Sequence, residues 1–353
     1  MGELLGIGMT HAPHFQYPDE HMADIHRMRL KNEKTPAAMR DPRNWPPGMQ
    51  AEWGDDEGLA AARRHRDELV GGFRAARAAL DAFRPDFVLI WGDDQYENFK
   101  EDVVPPYCVY AMDEIPCDLY ANTYASYAKT NVFGQPADLR VNLPGCREAG
   151  NHLARQLILS GFDVAYSYKF HHAEVLNHAF VRTVLYLDYD QQGFPYPIIP
   201  FHVNCYGSDL MPPDFISDGR TVEARDESRQ PPPAPPPWRC YDLGKRVAEI
   251  IRESPWRAAV IGSSSWSHAF LTRKFPAGHP DVEADRRLLD DLRGSQHARW
   301  RDVPQDTYRE AGQHEFLNWV CLAGAMEGRR ADVLAYGETY IFNSDKCVAL
   351  FPA

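Results

Sequence analysis

Histidines and a carboxylate stand next to short apolar runs at several points of this sequence. His11 follows the run at residues 4–8, and His268 follows the run at residues 258–262 after three consecutive serines. His178 precedes an apolar run, and Glu315 opens another with helical spacing. A few nitrogen and carboxylate ligands on one face suit a divalent first-row metal, and a further histidine can move protons near neutral pH. A lone loop histidine is more often solvated or structurally hydrogen-bonded, so the spacing alone does not assign ligands.

The elements that must position these side chains alternate along the chain, which is typical of α/β layering. The predicted strands are residues 4–8, 87–91, 164–168, 198–204, 258–262 and 333–336, and the predicted helices are residues 58–83, 147–160, 242–253, 282–292 and 315–326. In an open α/β sheet, ligands collect outside the carboxyl ends of the strands, and His11, His268 and the polar run Asp93, Asp94 and Gln95 fall there. We expect a single α/β domain over residues 1–353, with a central mixed sheet flanked by helices.

Two segments interrupt this alternation. Residues 16–53, here called the lid segment, hold many charges, several prolines and no clean period, which is typical of a long functional excursion over a pocket. Residues 208–238 end in a run of prolines that favours extended geometry and cannot form a central strand. We interpret this second segment as a surface loop inside the same domain.

Composition narrows the classes of partner. The formal net charge of −12 opposes binding to phosphate backbones and anionic membranes, so we expect neither nucleic acid nor a membrane as partner. No run of eighteen apolar residues predicts a transmembrane helix, and the N-terminus does not read as a signal peptide. The seven cysteines are odd in number and form no CxxC pair, which argues against a disulfide framework and favours a reducing cytoplasm.

Five motifs, taken in order, resemble the class III extradiol ring-cleavage dioxygenases. The first follows the first predicted strand, the second spans residues 85–105, and the remainder lie towards the C-terminus. The matching residues are Thr10-His11-Ala12-Pro13, the segment from Pro85 to Trp91 with Asp94 to Pro105, Ile199 to Asn204, Ser267-His268, and His314-Glu315 followed by Trp319. The resemblance runs from about residue 4 to about residue 340, apart from the two interruptions.

This resemblance implies roles for individual residues. His11 and Glu315 match the family's Fe(II) ligands, and His268 matches an acid/base group or a partner of a substrate hydroxyl. His178 matches a histidine that lines the family's active site, although His171 or His172 is an alternative for that place. The family's fold, iron cofactor and aromatic substrates are therefore expectations for this chain.

The sequence departs from the family at the second metal ligand. An ungapped match places Gln95 where the family has a histidine, and a shift of one residue would place Asp94 there. His14, three residues after His11, is a further candidate for a replacement nitrogen ligand. Glutamine binds Fe(II) more weakly than imidazole, whereas an aspartate would give a harder ligand set that tolerates Mn(II) better. The residues leave open which of the three completes the site.

The expected function is ring cleavage of a catechol- or aminophenol-type aromatic by a non-haem Fe(II) dioxygenase, with Mn(II) as the alternative ion. Asp94, Tyr96, Trp266 and Arg273 are predicted to contact the substrate, Arg273 through a carboxylate. The same fold with other oxidative or hydrolytic chemistry remains an alternative, as does a metal-free binding or partner subunit. Members of the family are commonly oligomeric, so the resemblance also implies self-association.

Overall fold

A mixed sheet forms the centre of the computed structural model, which describes residues 2–33, 35–121, 130–207, 232–275 and 278–353. Its eight strands lie in the order β6-β3-β7-β2-β8-β1-β10-β9, and β4 and β5 form a separate hairpin. The strands are β1 Glu3–Met9, β2 Phe87–Gly92, β3 Tyr107–Tyr110, β4 Glu114–Cys117, β5 Val141–Pro144, β6 Ala165–Ser167, β7 Ile198–Val203, β8 Arg257–Ser263, β9 Asp332–Gly337 and β10 Lys346–Phe351.

The four central strands run parallel to one another. β1 pairs with β8, β8 with β2, and β2 with β7, whereas β10 and β3 join this group antiparallel on either side. β2 and β7 are buried along their whole length, which is why their sequences are nearly continuous apolar runs. The parallel arrangement brings the carboxyl ends of four strands to one edge of the sheet.

Helices cover both faces of the sheet. One core cluster lies between the sheet and α4, α6 and α9, and the other lies on the opposite face beneath α3 and α5. The helices are α1 Asp24–Lys31, α2 Pro47–Trp53, α3 Leu59–Phe83, α4 Arg147–Leu159, α5 His178–Leu187, α6 Pro237–Arg252, α7 Val282–Arg293, α8 Gln305–Glu310 and α9 Leu317–Ala325. The predicted α/β fold with a mixed central sheet and flanking helices is confirmed.

Several predicted bounds need correction. The proline-rich loop was expected to reach residue 238, but α6 begins at Pro237 because proline fits the first turn of a helix. Residues 208–231 of that loop lie outside the described residues. Glu315 does not open α9 itself, since it lies in a 3₁₀ turn, His314–Phe316, that leads into the helix. Among the described residues, no helix is both long and apolar enough to cross a bilayer.

The lid segment contains ordered structure despite its irregular sequence. It holds α1 and α2 joined by short 3₁₀ turns. Ile25, Trp45 and Met49 are buried, which anchors the segment to the rest of the protein. Its irregular period arises because each element is short and buries at most three side chains.

Candidate metal centre

A small pocket lies at the carboxyl edge of the four parallel strands. His11 follows β1, Gln95 follows β2, and His268 follows β8, while Glu315 enters from the turn before α9. The side chains of these four residues and of His178, at the start of α5, line the pocket. The structure therefore brings together the sequence-predicted residues His11, Gln95, His178, His268 and Glu315, which lie as far as 304 positions apart (11 to 315) in the chain.

The ring of His11 is oriented by a hydroxyl at the end of β8. Its Nδ1 lies 2.9 Å from Ser263 Oγ. Ser263 donates its own proton to the carbonyl of Ala179, so it accepts from the Nδ1–H of His11. This tautomer leaves the Nε2 lone pair of His11 facing two buried carboxyl groups.

Two carboxyl groups converge on His11 from opposite elements. Its Nε2 lies 3.2 Å from Glu315 Oε2 and 3.8 Å from Asp93 Oδ1, and both carboxyl groups are fully buried. Burial and the neighbouring Glu315 raise the pKa of Asp93 well above its ordinary value. Burial opposes ionisation of Glu315 as well, yet the His268 and His11 rings hold its pKa well below the usual range. Glu315 is therefore the more strongly ionised of the two.

Gln95 acts on Glu315 in this arrangement. Its side-chain nitrogen donates to Glu315 Oε1 at 2.8 Å and to the Tyr206 hydroxyl at 3.1 Å, and Tyr206 donates to the same carboxylate oxygen. An amide nitrogen has no lone pair to offer a metal, and turning the amide over would place two oxygens in contact. Gln95 and Tyr206 thus saturate Oε1 and leave Oε2 directed at the pocket.

A carboxylate–histidine pair forms another wall. His178 Nδ1 lies 2.7 Å from Glu97 Oε2, and the His178 backbone N–H donates to Glu97 Oε1 at 3.0 Å. Although desolvation opposes ionisation of Glu97, the contact with His178 lowers its pKa to about 2. The contact to Glu97 occupies Nδ1, so Nε2 is the ring nitrogen left for the pocket. The His178 ring meets that of His11 edge-on at 5.1 Å.

His268 lies beside Glu315 on the remaining side. Its Nε2 is 3.5 Å from Glu315 Oε2. Burial lowers its pKa, although the nearby Glu315 carboxylate partly opposes that shift. A neutral imidazole beside an ionised carboxylate can accept a proton from a bound hydroxyl group.

The lid segment covers the pocket. Ile25 of α1 is part of the lining. Arg29 on the same helix donates to the Oδ1 atom of Asn343, at 2.5 Å, and Asn343 also lines the pocket. The free space at the centre is about 20 Å³, room for about one water molecule. An aromatic ring needs more space, so its entry requires α1 or its neighbours to move.

Four other predicted residues lie elsewhere. Asp94 accepts backbone N–H groups of residues 97, 98 and 99 and so closes the loop after β2. Tyr96, with a φ of 62°, bonds to Glu101 away from the pocket. Trp266 is fully buried among core aromatics, and Arg273 pairs with Glu310 at 3.3 Å. The structure corrects the expectation that these four side chains face a ligand in this pocket.

The alternative histidines are also placed outside the pocket. His14 is buried near Phe342, with ring centroids 6.5 Å apart, and does not line the site. His171 and His172 are exposed and contact Asp102. Of the three candidates for the active-site position, the structure therefore places His178 at the pocket.

Sequence reasoning missed three residues at or beside the site. Asp93 was noted at a strand end but not assigned, while Glu97 and Arg182 were not considered. Arg182 is 2% exposed and lines the pocket. One signal was available for Arg182, since it lies four residues after His178, on the same face of one helix.

Comparison with known proteins shows which family part of this chain resembles. Residues 231–343 match the family model described as the catalytic LigB subunit of aromatic ring-opening dioxygenase. This part of the chain is similar to the LigB family. The resemblance to class III extradiol dioxygenases that the motifs predicted is thereby confirmed.

Named ring-cleavage enzymes are among the proteins similar to this chain. A Pseudomonas putida protein named 2,3-dihydroxyphenylpropionate/2,3-dihydroxicinnamic acid 1,2-dioxygenase 2 is 27% identical over 230 residues, which are 65% of this chain and 56% of the relative. A Comamonas testosteroni protein named 2,3-dihydroxyphenylpropionate/2,3-dihydroxicinnamic acid 1,2-dioxygenase is 25% identical over 238 residues, which are 67% of this chain and 59% of the relative. The chain thus spans less than two thirds of the length of these two relatives.

The residues present fit the divalent metal that such a family implies. Asp93 Oδ2 and Glu315 Oε2 are buried and have no hydrogen-bond partner, which is costly unless a cation or a proton neutralises the carboxyl groups. Donor atoms of His11, Asp93 and His178 lie within 4.8 Å of one another, and Glu315 adjoins the same His11 nitrogen. Imidazole and carboxylate together suit Fe(II), Mn(II) and related ions.

Proposed function

We propose that this protein is a metal-dependent dioxygenase that opens the ring of a catechol- or aminophenol-type aromatic compound. The observation that carries the proposal is the pair of buried carboxyl groups, Asp93 and Glu315, which lie 3.8 and 3.2 Å from His11 Nε2 and each keep one oxygen without a hydrogen-bond partner. His178 and His268 flank this centre. The LigB match and the named relatives support the same chemistry.

His11, Asp93 and Glu315 would hold the metal. Asp93 takes the place that the sequence left open among Gln95, Asp94 and His14, because its carboxyl adjoins the free nitrogen of His11. Fe(II) is the proposed ion, and two carboxylates with one imidazole form a hard set that also accepts Mn(II). A divalent metal bound there would supply Lewis-acid binding of two adjacent ring oxygens and a route for electrons to dioxygen.

The two flanking histidines would handle protons. His268, neutral by burial, accepts the proton of a substrate hydroxyl and later returns it. His178 is fixed by Glu97, which holds Nδ1 and leaves Nε2 for the pocket. Gln95 and Tyr206 keep Glu315 oriented while these protons move.

A buried arginine in the pocket wall indicates which kind of catechol the pocket would bind. Arg182 lines the pocket and is buried in α5, whereas Arg273, the earlier candidate, pairs with Glu310 outside it. A buried guanidinium suits a carboxylate. We therefore propose a catechol that carries an acidic side chain, which agrees with the substrate names of the relatives.

Metal content and oxygen uptake test the proposal directly. Protein reconstituted anaerobically with Fe(II) should bind metal, and His11→Ala, Asp93→Asn and Glu315→Ala should each lose it. Oxygen uptake with 2,3-dihydroxyphenylpropionate should fall by about 100-fold or more in these variants, because direct ligands matter more than the outer partners that cost 10- to 100-fold.

Matched controls separate ligand loss from damage to the fold. Asp94→Asn removes a neighbouring carboxylate, and His14→Ala removes a buried histidine outside the pocket. Both should keep the metal. Retention of iron by Asp93→Asn and loss by either control would contradict the proposed ligand set, and absence of iron in the parent protein would overturn the function.

The substrate class has its own test. Arg182→Gln should raise the KM for 2,3-dihydroxyphenylpropionate by about tenfold or more, because a charged hydrogen bond contributes about 1.5–3 kcal/mol. The KM for unsubstituted catechol should change little. An equal rise for both substrates would argue against a carboxylate contact.

A further inference from the structure

An exposed cluster on the outer side of the loop after β2 contains a second set of metal-type donors. Asp102, His171 and His172 each offer one donor atom, and these atoms lie within 4.8 Å of one another. His171 Nε2 lies 2.9 Å from one oxygen of Asp102, and His172 Nε2 lies 2.8 Å from the other. The carboxylate and the two rings come from segments about 70 residues apart, so tertiary structure assembles the cluster.

We propose that Asp102, His171 and His172 form a second site for a zinc-type divalent ion, separate from the proposed catalytic centre. A neutral ring makes either contact by donating its Nε2–H to the carboxylate, and a divalent ion that displaces these two protons would be bound by the same three donor atoms. The two rings lie close enough to share one ion, since their centroids are 4.2 Å apart. One divalent ion can therefore bind to all three donors.

The cluster is held in place by a buried residue beneath it. Asn98 is fully buried, and its Oδ1 accepts the backbone N–H groups of His171, at 2.5 Å, and His172, at 3.1 Å. Its side-chain nitrogen donates to the Tyr110 hydroxyl of β3. The backbone that carries both histidines is therefore fixed before any ion binds, which reduces the ordering cost of binding.

The donor set selects the class of ion. Two imidazole nitrogens and one carboxylate oxygen suit Zn²⁺, Co²⁺ or Ni²⁺, whereas Mg²⁺ and Ca²⁺ prefer oxygen donors alone. The three side chains are 35–52% exposed, so water completes the coordination. Occupancy would tie residue 102 to residues 171–172 and so restrain the loop that carries Gln95 and Glu97.

Zinc titration of the metal-free full chain tests this site. Isothermal calorimetry on the parent should show one more zinc equivalent than on the variant with His171→Ala and His172→Ala, and Asp102→Ala should weaken that equivalent by about tenfold or more. Co²⁺ bound at the site should add a visible ligand-field band that both variants lack. His21→Ala is the matched control, because His21 is a surface histidine paired with one carboxylate, Asp24, at 2.7 Å. It should leave the binding unchanged.

The outcomes distinguish this site from the catalytic centre. His11→Ala should remove the catalytic equivalent and retain the one that depends on His171 and His172. The proposal is overturned if the double-histidine variant binds zinc with the same stoichiometry and affinity as the parent. It is also overturned if Asp102→Ala binds as the parent does, because the ion would then not use the three-donor cluster.

Discussion

Acidification from pH 7 to pH 5 should destabilise the protein through His26, a buried residue of the lid segment. His26 is 3% exposed and packs edge-on against Trp45 and Trp53, with ring centroids 5.0 and 5.4 Å away. Both of its ring nitrogens are buried without a hydrogen-bond partner. Burial, assisted by the charges of Arg29 and Arg27, lowers its pKa to about 3. The ring is therefore neutral in the folded protein throughout this pH range.

The size of the effect follows from proton linkage. The unfolded chain binds a proton to His26 below about pH 6.5, while the folded chain does not until about pH 3. The contribution of His26 to the free energy of unfolding is therefore fully present above pH 6.5 and is lost as the pH drops from 6.5 towards 3. At about 1.36 kcal/mol per pH unit, the 1.5 units between pH 6.5 and pH 5 remove about 2 kcal/mol of unfolding free energy.

Urea unfolding of metal-free protein at both pH values measures this loss. Other buried histidines add to the fall in the parent protein, so the informative quantity is the difference between variants. His26→Phe cannot titrate and should lose about 2 kcal/mol less than the parent between pH 7 and pH 5. Met49→Leu, a buried substitution in the same segment, should show the parent's pH dependence. An identical fall in the parent and in His26→Phe would refute the reasoning.

The remaining predictions concern the contact between Glu97 and His178 and one glycine in each of two helices. Glu97→Gln should lower kcat for oxygen uptake about 10- to 100-fold, because His178 loses the carboxylate that orients it. The metal content should not change. Kinetics and elemental analysis check the two parts, and loss of metal would contradict the prediction. Gly244→Ala should lower the free energy of unfolding by about 1–3 kcal/mol or more, because a Cβ there would lie 1.8 Å from the carbonyl oxygen of Cys321 where α6 crosses α9. Gly71→Ala, in α3 with nothing within 4 Å of the added carbon, should raise it by about 0.5–1 kcal/mol, and urea unfolding of the two variants tests both signs.

The central strands were predictable because strands buried on both faces have nearly continuous apolar sequences. The predicted strands at residues 87–91, 198–204 and 258–262 correspond to β2, β7 and β8, whose two faces are both covered by helices. The short strands β3, β4 and β5 were not predicted, and neither was β10. A strand of only four residues shows too little periodicity to be identified from sequence. β10 begins with Lys346, which is buried although a lysine is expected at the surface.

Helix α5 and the lid segment show a related limit. His178 was expected only to precede an apolar run, whereas it begins a ten-residue helix that is buried on all sides. Apart from His178, Arg182 and Thr183 the run is apolar, so its period does not distinguish a helix from a strand. In the lid segment, the elements are too short for a period, and contacts with distant residues hold them in place.

The sequence by itself determined the fold class, the motifs that resemble the extradiol dioxygenases, and the placement of His11, His268 and Glu315 at element ends. Only the tertiary structure decided which of the three polar residues after β2 adjoins the nitrogen of His11. Asp93, Asp94 and Gln95 are adjacent in sequence, yet the first approaches His11, the second caps its own loop, and the third donates to Glu315. The physical reason is that a loop's backbone path sets the direction of each side chain, and partners hundreds of residues away fix that path.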